Sequence, residues 1–305
     1  MKEYPKNKIR SKNTKRLIYG VFVLICIILY LLSTKTEKKE ETVPPDVVRE
    51  NEYSYVHFLD VGQGDCTLIE THDGKFALID ASTQDSSDKI IAYLNNEGVT
   101  ELEYVIFTHP HEDHIGGGDE VIENFKVNNV YMTNKTENTA CYENLVSSLI
   151  QSKNTNGTKV LMPKQFEVFY LGDIKFLILS DGTSYDDTNN SSICLRMDLG
   201  KTTFLFTGDA EKTVENDIMT YVEDLDAEIY KCAHHGSSTS NGRKFLDRIN
   251  PDVAIISCGD GNMYGHPHVE VLEDLYTRNI LTLRTDRDGD IVIAFDKESF
   301  IKPSH

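Results

Sequence analysis

The chain has 305 residues, a formal net charge of −18, 39% hydrophobic residues and no tryptophan, a composition ordinary for a folded protein. Residues 1–32 hold seven of the 31 basic residues and one of the 49 acidic ones, which leaves 24 basic and 48 acidic residues in the remainder. Such an acidic surface repels polyanions and argues against non-specific binding of nucleic acid through phosphate neutralisation.

The first 34 residues predict a membrane anchor. Residues 1–16 are basic, and the run Leu17–Thr34 that follows contains no charged residue. Its length lies within the roughly 17–25 residues that cross a bilayer as a helix, and basic flanks stay in the cytoplasm. We therefore expect a single-pass protein of the cell membrane whose main domain lies outside the cell. Secretion after signal-peptide cleavage is the alternative, although no small-x-small cleavage pattern follows Leu32.

Residues 35–52 are charged, include Pro44 and Pro45 and have no apolar period, which predicts a linker. Residues 53–305 then alternate short apolar runs with amphipathic segments, as expected for one domain. The apolar runs predict strands at Tyr53–Leu59, Cys66–Glu70, Phe76–Ile79, Tyr104–Phe107, Asn129–Met132, Lys159–Met162, Phe166–Tyr170, Lys175–Leu179, Ser192–Asp198, Thr203–Phe206, Glu228–Cys232, Val253–Ser257, Leu281–Arg284 and Ile291–Phe295.

The amphipathic segments predict helices at Ser87–Asn96, Asp119–Phe125, Cys141–Ser152, Ala210–Val222, Asn241–Arg248 and Val269–Arg278. This mixture is too rich in strands for a doubly wound parallel sheet. It favours an α/β (α+β) domain in which two sheets pack face to face with helices outside.

The densest group of potential metal ligands lies in residues 108–117. Four ligands fall within six residues, directly after a predicted strand: His109, His111, Asp113 and His114. Neutral imidazole and carboxylate are ligands of zinc and manganese at neutral pH, and a loop lets neighbouring side chains reach two different ions. Three of the chain's ten histidines lie here. We therefore interpret the segment as half of a two-metal hydrolytic site rather than as a polar surface loop.

Three further positions have chemistry that could complete such a site. Asp209 ends an apolar strand, where its carboxylate either spans two cations or caps the helix that follows. His234 and His235 follow another strand, and adjacent histidines on a turn cannot both point the same way, so one of them is the ligand. His266, in a Gly-His-Pro turn, either contacts a phosphate or a leaving group or serves only to order the turn.

Seven segments, taken in order, resemble the metallo-β-lactamase superfamily, and in particular the branch found as a domain in ComEC-type competence proteins. The resemblance covers residues 53–296 and rests on HFLDVGQGD (57–65), LIDA (78–81), THPHEDHIGG (108–117), NSS (190–192), FTGDA (206–210), KCAHHGS (231–237) and YGHP (264–267). It implies a four-layer αββα sandwich with the metal site on loops at one edge.

The resemblance also implies how the ligands divide between two divalent ions, zinc or manganese. One ion takes His109, His111 and Asp209. The other takes Asp113, His114, Asp209 and His235, which turns His234 toward the substrate. Asp80 is then expected to orient a ligand histidine, and Asp60, Gln63 and Asp65 to lie near the same cleft.

The chain departs from many members of the superfamily in one respect. No histidine lies between Ile115 and Ala233, whereas many members have a third histidine there for the first ion. Asn190, Ser191 or Ser192 occupies that region, and we expect Asn190 and Ser191 to bind substrate. A site with three protein ligands leaves positions open for water and substrate, which favours phosphate esters over lactams.

The expected function is therefore a membrane-anchored, outward-facing phosphodiesterase or nuclease with a possible link to DNA uptake. DNA, a nucleotide or a cell-wall ester is the expected substrate, and no protein partner can be inferred. One alternative is hydrolysis of another ester, such as phosphorylcholine on a cell-wall polymer. The other is a non-catalytic, metal-binding module of the cell envelope. The sequence contains at most one membrane span, so the chain is not a DNA channel by itself.

Overall fold

The computed structural model describes residues 52–301. Its strands are β1 Ser54–Phe58, β2 Thr67–Glu70, β3 Phe76–Ile79, β4 Glu101–Phe107, β5 Lys126–Met132, β6 Lys159–Leu161, β7 Val168–Leu171, β8 Ile174–Ser180, β9 Cys194–Leu199, β10 Thr202–Phe206, β11 Ile229–Lys231, β12 Val253–Ile256, β13 Leu281–Arg284 and β14 Ile291–Phe295. The helices are α1 Ser87–Asn96, α2 Glu112–Ile115, α3 Gly118–Asn124, α4 Ala140–Thr155, α5 Lys212–Tyr221, α6 Arg243–Ile249, α7 Val269–Thr277 and α8 Thr285–Asp288.

The strands form two sheets of seven with the same internal plan. The first has the order β14-β1-β2-β3-β4-β5-β6 and the second the order β7-β8-β9-β10-β11-β12-β13. In each sheet the first four strands in these orders pair antiparallel with one another, and the last four pair parallel. The fourth strand, β3 in the first sheet and β10 in the second, takes part in both kinds of pairing. The parallel strands therefore end at a common edge in each sheet, where loops can bring polar side chains together.

Alternating side chains give the fold three apolar layers. On β4, Ile106 points into the layer between the sheets, while Val105 and Phe107 pack under the helices of the first sheet. On β10, Phe204 and Phe206 point between the sheets, and Leu205 packs with the helices of the second sheet. This period of two fixes which face of each strand is buried against which layer. The predicted αββα sandwich is therefore confirmed.

The predicted elements are largely present, and the differences have local causes. The seventh strand begins at Val168 rather than Phe166, because Phe166 adopts a positive φ of 66°. The helix predicted from Val269 begins there, as α7. The helix predicted from Asn241 begins only at Arg243, as α6, because Asn241 has a φ of 57° and its N–H donates to Glu215. The one-turn helices α2 and α8 were not predicted, because four residues are too few to show a helical period.

The predicted cytoplasmic segment (1–16), membrane helix (17–34) and most of the linker (35–52) lie outside the described residues. Within residues 52–301, no helix has both the length and the apolar character needed to span a bilayer.

A buried acid in the outer helical layer makes a pH dependence of stability testable. Glu215 on α5 is 2% exposed and accepts hydrogen bonds from the N–H groups of Asn241 (2.6 Å) and Gly242 (2.9 Å). Burial nevertheless raises the pKa of Glu215 to about 7. Because the folded protein then binds a proton more tightly than the unfolded chain, this group contributes stability at acidic pH that is lost as pH rises toward and through 7.

We predict that Glu215→Gln removes this dependence. Between pH 5 and pH 8, the free energy of unfolding of the wild type should fall by about 2 kcal/mol relative to that of the variant. Urea unfolding at both pH values measures the difference, with the exposed Glu273→Gln on α7 as the matched control. If the difference in free energy of unfolding between wild type and Glu215→Gln stays constant with pH, the raised pKa of Glu215 is contradicted.

Candidate metal centre

The candidate ligands lie where parallel strands of the two sheets end. His109 and His111 follow β4, Asp209 follows β10, and His235 follows β11. The two sheets meet at this edge, where the N–H of Ile193 donates to the carbonyl oxygen of Thr108 at 2.9 Å. The strand ends therefore bring together residues that are about a hundred positions apart in the sequence.

The histidine-rich segment is not wholly a loop, and the expectation that it would be is wrong for residues 112–115. His111 has extended backbone (φ −69°, ψ 150°) and acts as the N-cap of α2, and its carbonyl oxygen accepts the N–H groups of His114 and Ile115. The chain thus turns sharply at His111. One turn of helix then carries Asp113 and His114, which belong to a second group of ligand atoms.

The first group of ligand atoms comprises His109, His111 and Asp209. His109 Nε2 lies 3.0 Å from His111 Nδ1 and 3.8 Å from Asp209 Oδ2. His109 and Asp209 are 1% and 2% exposed, whereas His111 is half-buried at the edge of a cleft. This group has three donor side chains and opens toward the cleft.

The second group comprises Asp113, His114, Asp209 and His235. Asp209 Oδ1 lies 3.2 Å from His114 Nε2, and Asp113 Oδ2 lies 3.2 Å from His235 Nε2. Asp209 Oδ2 is 3.8 Å from both His109 Nε2 and His235 Nε2. A single buried carboxylate therefore adjoins both groups. The alternative that Asp209 caps a helix is excluded, because Glu211 is the N-cap of α5.

The donor atoms of the second group fit a cation. His114 Nε2, His235 Nε2 and Asp209 Oδ1 are buried and have no partner with hydrogen-bond geometry. Unpartnered buried polar atoms are costly, yet these converge on one another. Imidazole nitrogens and carboxylate oxygens are also the ligand set expected for zinc or manganese. The described residues thus satisfy the chemistry of a divalent metal site.

The electrostatics of the group also favour positive charge. Burial opposes ionisation of Asp209, but the neighbouring His114 and His235 hold the pKa of its carboxyl well below the usual range. Despite burial, Asp209 and Asp80 raise the pKa of the His114 imidazole well above its usual value. Likewise Asp209 and Asp65 raise the pKa of His235 to about 10 despite burial. A divalent cation would provide the same compensating charge by displacing these protons.

His114 is oriented by a buried carboxylate. Asp80, at the end of β3, lies with Oδ2 2.8 Å from His114 Nδ1, and its two oxygens also accept from the N–H (2.7 Å) and the hydroxyl (2.8 Å) of Thr108. Asp80 has a positive φ of 58°, which is uncommon outside glycine. This contact fixes which nitrogen of His114 faces Asp209, as predicted for Asp80.

His235 is oriented in a similar way. Its Nδ1 lies 3.0 Å from the carbonyl oxygen of Ser257 and 3.3 Å from Asp65 Oδ1. Asp65 in turn accepts a hydrogen bond from the buried ammonium of Lys231 at 2.9 Å. Although burial opposes its ionisation, Lys231 and His235 hold the pKa of Asp65 below the usual range.

His234 and His235 lie on a left-handed turn. Their φ values are 50° and 53°, and two consecutive residues in this conformation are strained for L-amino acids. The turn sends the two rings to different surroundings. His235 is 1% exposed within the second group, and His234 lines the cleft with Nε2 3.8 Å from Asp209 Oδ2. The structure thus places His235 within the second ligand group and His234 on the wall of the cleft, and their roles as ligand and substrate contact stay predictions.

A cleft of about 390 Å³ opens onto both groups. Its lining residues are Gln63, His111, Glu112, Asp113, Asn189, Asp209, His234, His235, Tyr264 and His266. His266 is 9% exposed, and burial together with the neighbouring His234 lowers its pKa to about 4. The His266 imidazole is therefore neutral near pH 7. Gln63 accepts the N–H of Gly259 at 3.1 Å.

Three predicted site residues are not brought to this cleft. Asp60 instead pairs with Lys89, 3.3 Å away, because β1 ends before Asp60 and its carboxylate turns toward α1. Ser191 is fully buried, with its hydroxyl donating to the carbonyl oxygen of Thr188, so the expectation that it binds substrate is wrong. Asn190 is 8% exposed and accepts the N–H of Glu211. Their 3₁₀ turn presents Asn189, rather than Asn190, to the cleft.

Sequence reasoning missed several residues that support the site. Ser192 accepts the N–H of Asp209 at 3.0 Å and lies 3.3 Å from His109 Nδ1, and Thr108 lies 3.2 Å from the same nitrogen. Both lie within segments that carry the family resemblance, but nothing in their spacing distinguishes them from other hydroxyl residues as supports of a ligand. Lys231 gave a clearer signal, since it is a charged residue in the otherwise apolar strand β11.

Comparison with known proteins agrees with this geometry. A family model described as "Metallo-beta-lactamase superfamily" matches residues 59–260. The chain is 31% identical over 254 residues to ComE operon protein 3 of Bacillus subtilis, covering 77% of this chain and 32% of that protein. It is 30% identical over 246 residues to Recombination protein 2 of Haemophilus influenzae (79% and 29%) and 30% identical over 247 residues to Competence protein ComA of Neisseria gonorrhoeae (80% and 33%).

The chain spans about a third of the length of these relatives. Among solved structures, the metallo-beta-lactamase fold protein YhfI from Bacillus subtilis has a TM-score of 0.55 at 14% sequence identity, covering 80% of this chain and 100% of that one. This likeness supports the fold alone. The family match, the sequence relatives and the two ligand groups agree, and the chain belongs to the metallo-β-lactamase superfamily.

Proposed function

We propose that the protein is a metal-dependent phosphodiesterase with two divalent cations, zinc or manganese, anchored in the cell membrane and facing outward. The observation that carries the proposal is the unequal pair of ligand groups beside one cleft. The second group has four donor side chains, whereas the first has only His109, His111 and Asp209. An ion with three protein ligands keeps positions for water and for a substrate oxygen.

Two cations held there would supply Lewis-acid chemistry and a water deprotonated near neutral pH. The protein's own side chains do the rest. Asp80 and Asp65 hold His114 and His235 in one orientation through their Nδ1 atoms. His234 lies at the cleft wall, where its Nε2 can donate to a substrate oxygen. The neutral His266 beside it adds a hydrogen-bonding group without adding charge.

A nucleotide-bearing substrate is supported by the rim of the cleft. Tyr264 is 59% exposed, and its ring stacks on His266 with centroids 5.7 Å apart and planes 21° apart. An exposed aromatic face beside a phosphate site can stack on a base. Recognition of phosphorylcholine would instead require an aromatic cage, and Tyr264 is the one Phe or Tyr among the described residues lining this cleft.

The names of two relatives, which refer to competence and recombination, also support a nucleotide-bearing substrate. The apolar run Leu17–Thr34 and the basic residues before it support the anchor and its orientation. The acidic composition of the remaining chain suggests that binding of a polyanion depends on the metal centre rather than on a basic surface.

The full-length protein should hydrolyse bis-(p-nitrophenyl) phosphate and single-stranded DNA when zinc or manganese is present. His111→Ala should reduce turnover at least about a hundredfold and lower the metal content from about two ions to about one per chain, because the first group loses one of its three donors. Turnover assays and elemental analysis measure both effects. The exposed His72→Ala is the matched control. Absence of any phosphodiester turnover, or turnover unchanged in His111→Ala, would sink the proposal.

Tyr264→Ala should weaken the preference for substrates that carry bases. The ratio of kcat/KM on oligo-dT to kcat/KM on an abasic oligonucleotide of equal length should fall about tenfold or more, because stacking contributes about 1–3 kcal/mol per base. Tyr264→Phe should keep the preference. Met263→Ala, at a residue that is 90% exposed on the same loop, is the control. An unchanged ratio in Tyr264→Ala would remove the support for a nucleotide substrate.

The membrane topology can be tested in intact cells that produce the full-length chain. Protease added outside should degrade the domain, and the protein should sediment with membranes. Deletion of residues 17–34 should make the domain resistant to external protease because it then stays inside the cell. If the domain of the full-length chain resists protease until the cells are broken, the orientation is the opposite one.

A further inference from the structure

The ion pair between Lys231 and Asp65 lies in the apolar layer between the sheets. On β11, Ile229 points into that layer and Tyr230 points away from it, so the alternation of the strand sends Lys231 inward. Lys231 and Asp65 are 3% and 5% exposed, and their charged atoms are 2.9 Å apart. A buried ion pair is costly and seldom adds stability over an apolar pair. Its presence therefore calls for another role.

The contacts of Asp65 point to that role. Lys231 holds Oδ2 of Asp65, and the other oxygen, Oδ1, faces His235 Nδ1 at 3.3 Å. The main chain of Asp65 is fixed as well, because its N–H donates to the carbonyl oxygen of Asp113 at 3.0 Å. Asp65 thus contacts two of the four residues of the second ligand group, the side chain of His235 and the main chain of Asp113. Lys231 itself touches none of them.

The second oriented histidine provides an internal comparison. Asp80 is fixed against His114 by two neutral donors, the N–H and the hydroxyl of Thr108. Asp65 is fixed by a charged donor from a different sheet, 166 positions away in the chain. A free carboxylate can rotate, so removal of Lys231 would release Asp65 Oδ1 from His235 even though every candidate ligand remained present.

We propose that Lys231 is a positioning residue of the metal centre. By holding Asp65 Oδ2, it keeps Oδ1 beside His235 Nδ1, where the carbonyl oxygen of Ser257 also lies at 3.0 Å. These two contacts keep His235 Nε2 aimed at Asp113 and Asp209, where a cation of the second group would bind. The proposal rests on the metal site of the proposed function. It does not depend on the substrate, and its test requires no turnover.

The test compares Lys231→Met with the double variant Lys231→Met/Asp65→Leu in the full-length protein. The single variant leaves a buried unpaired carboxylate, so it should lose stability. The double variant removes both charges and should regain that stability. Arg196→Met, which removes a partly buried ion pair with Asp198 on β9, is the control for loss of an ion pair away from the site.

Cobalt(II) titration followed by its d–d absorption measures the metal site. In both Lys231 variants, cobalt affinity at the four-ligand group should fall about 10- to 100-fold, as for loss of groups that orient metal ligands, and the absorption bands should change. Arg196→Met should keep the wild-type cobalt spectrum.

A double variant that regains stability and binds cobalt with wild-type affinity and spectrum would overturn the proposal, since Lys231 would then be a structural ion pair only. If the single variant fails to fold, the double variant still tests whether the Lys231–Asp65 pair as a unit positions the metal centre. If no phosphodiester is hydrolysed but both Lys231 variants lose cobalt affinity, the proposed substrate is wrong and the role of Lys231 stands.

Discussion

The buried carboxylate of Asp209 is the constraint on which the site depends. It is 2% exposed, and its oxygens lie 3.2 Å from His114 and 3.8 Å from His109, His234 and His235. A charge so deeply buried is tolerated only with compensating charge around it. Every nearby imidazole is therefore placed by the need to surround one anion. Protons on His114 and His235 can supply that charge, and a divalent cation would supply it in their place.

The surrounding structure serves to hold this arrangement rigid. Asp80 contacts Nδ1 of His114 and is held by Thr108. Asp65 contacts Nδ1 of His235 and is held by Lys231. The left-handed backbone at His234 and His235 adds local strain, which the packed strand ends around it must offset. Such preorganisation is what a metal centre needs if its ligands are to keep their aim when substrate binds.

The sequence predicted the elements with strong periods and the ligands in compact motifs. The arrangement of two packed sheets with helices outside followed from the apolar runs and amphipathic segments. The grouping of ligands from β4, β10 and β11 followed from the resemblance to the metallo-β-lactamase superfamily. Sequence could not reveal contacts that depend on the packing of distant segments, such as Lys231 with Asp65 or Ser192 with His109. It also failed in the 3₁₀ turn at Asn189–Ser191, where no period indicates which side chain faces the cleft. The predicted membrane helix lies outside the described residues.

The common plan of the two sheets has a consequence for how the site forms. Asp80 follows β3 and the histidine-rich segment follows β4, whereas Asp209 follows β10 and the histidine pair follows β11. In each sheet, a carboxylate follows the first strand of the parallel part and histidines follow the second. Each half of the fold, meaning one sheet with its helices, thus supplies residues to the candidate metal centre. The last strand, β14, returns to pair with β1, which joins the end of the fold to its beginning. Metal affinity would thereby be linked to docking of the two halves, and a bound ion would oppose partial unfolding of either one.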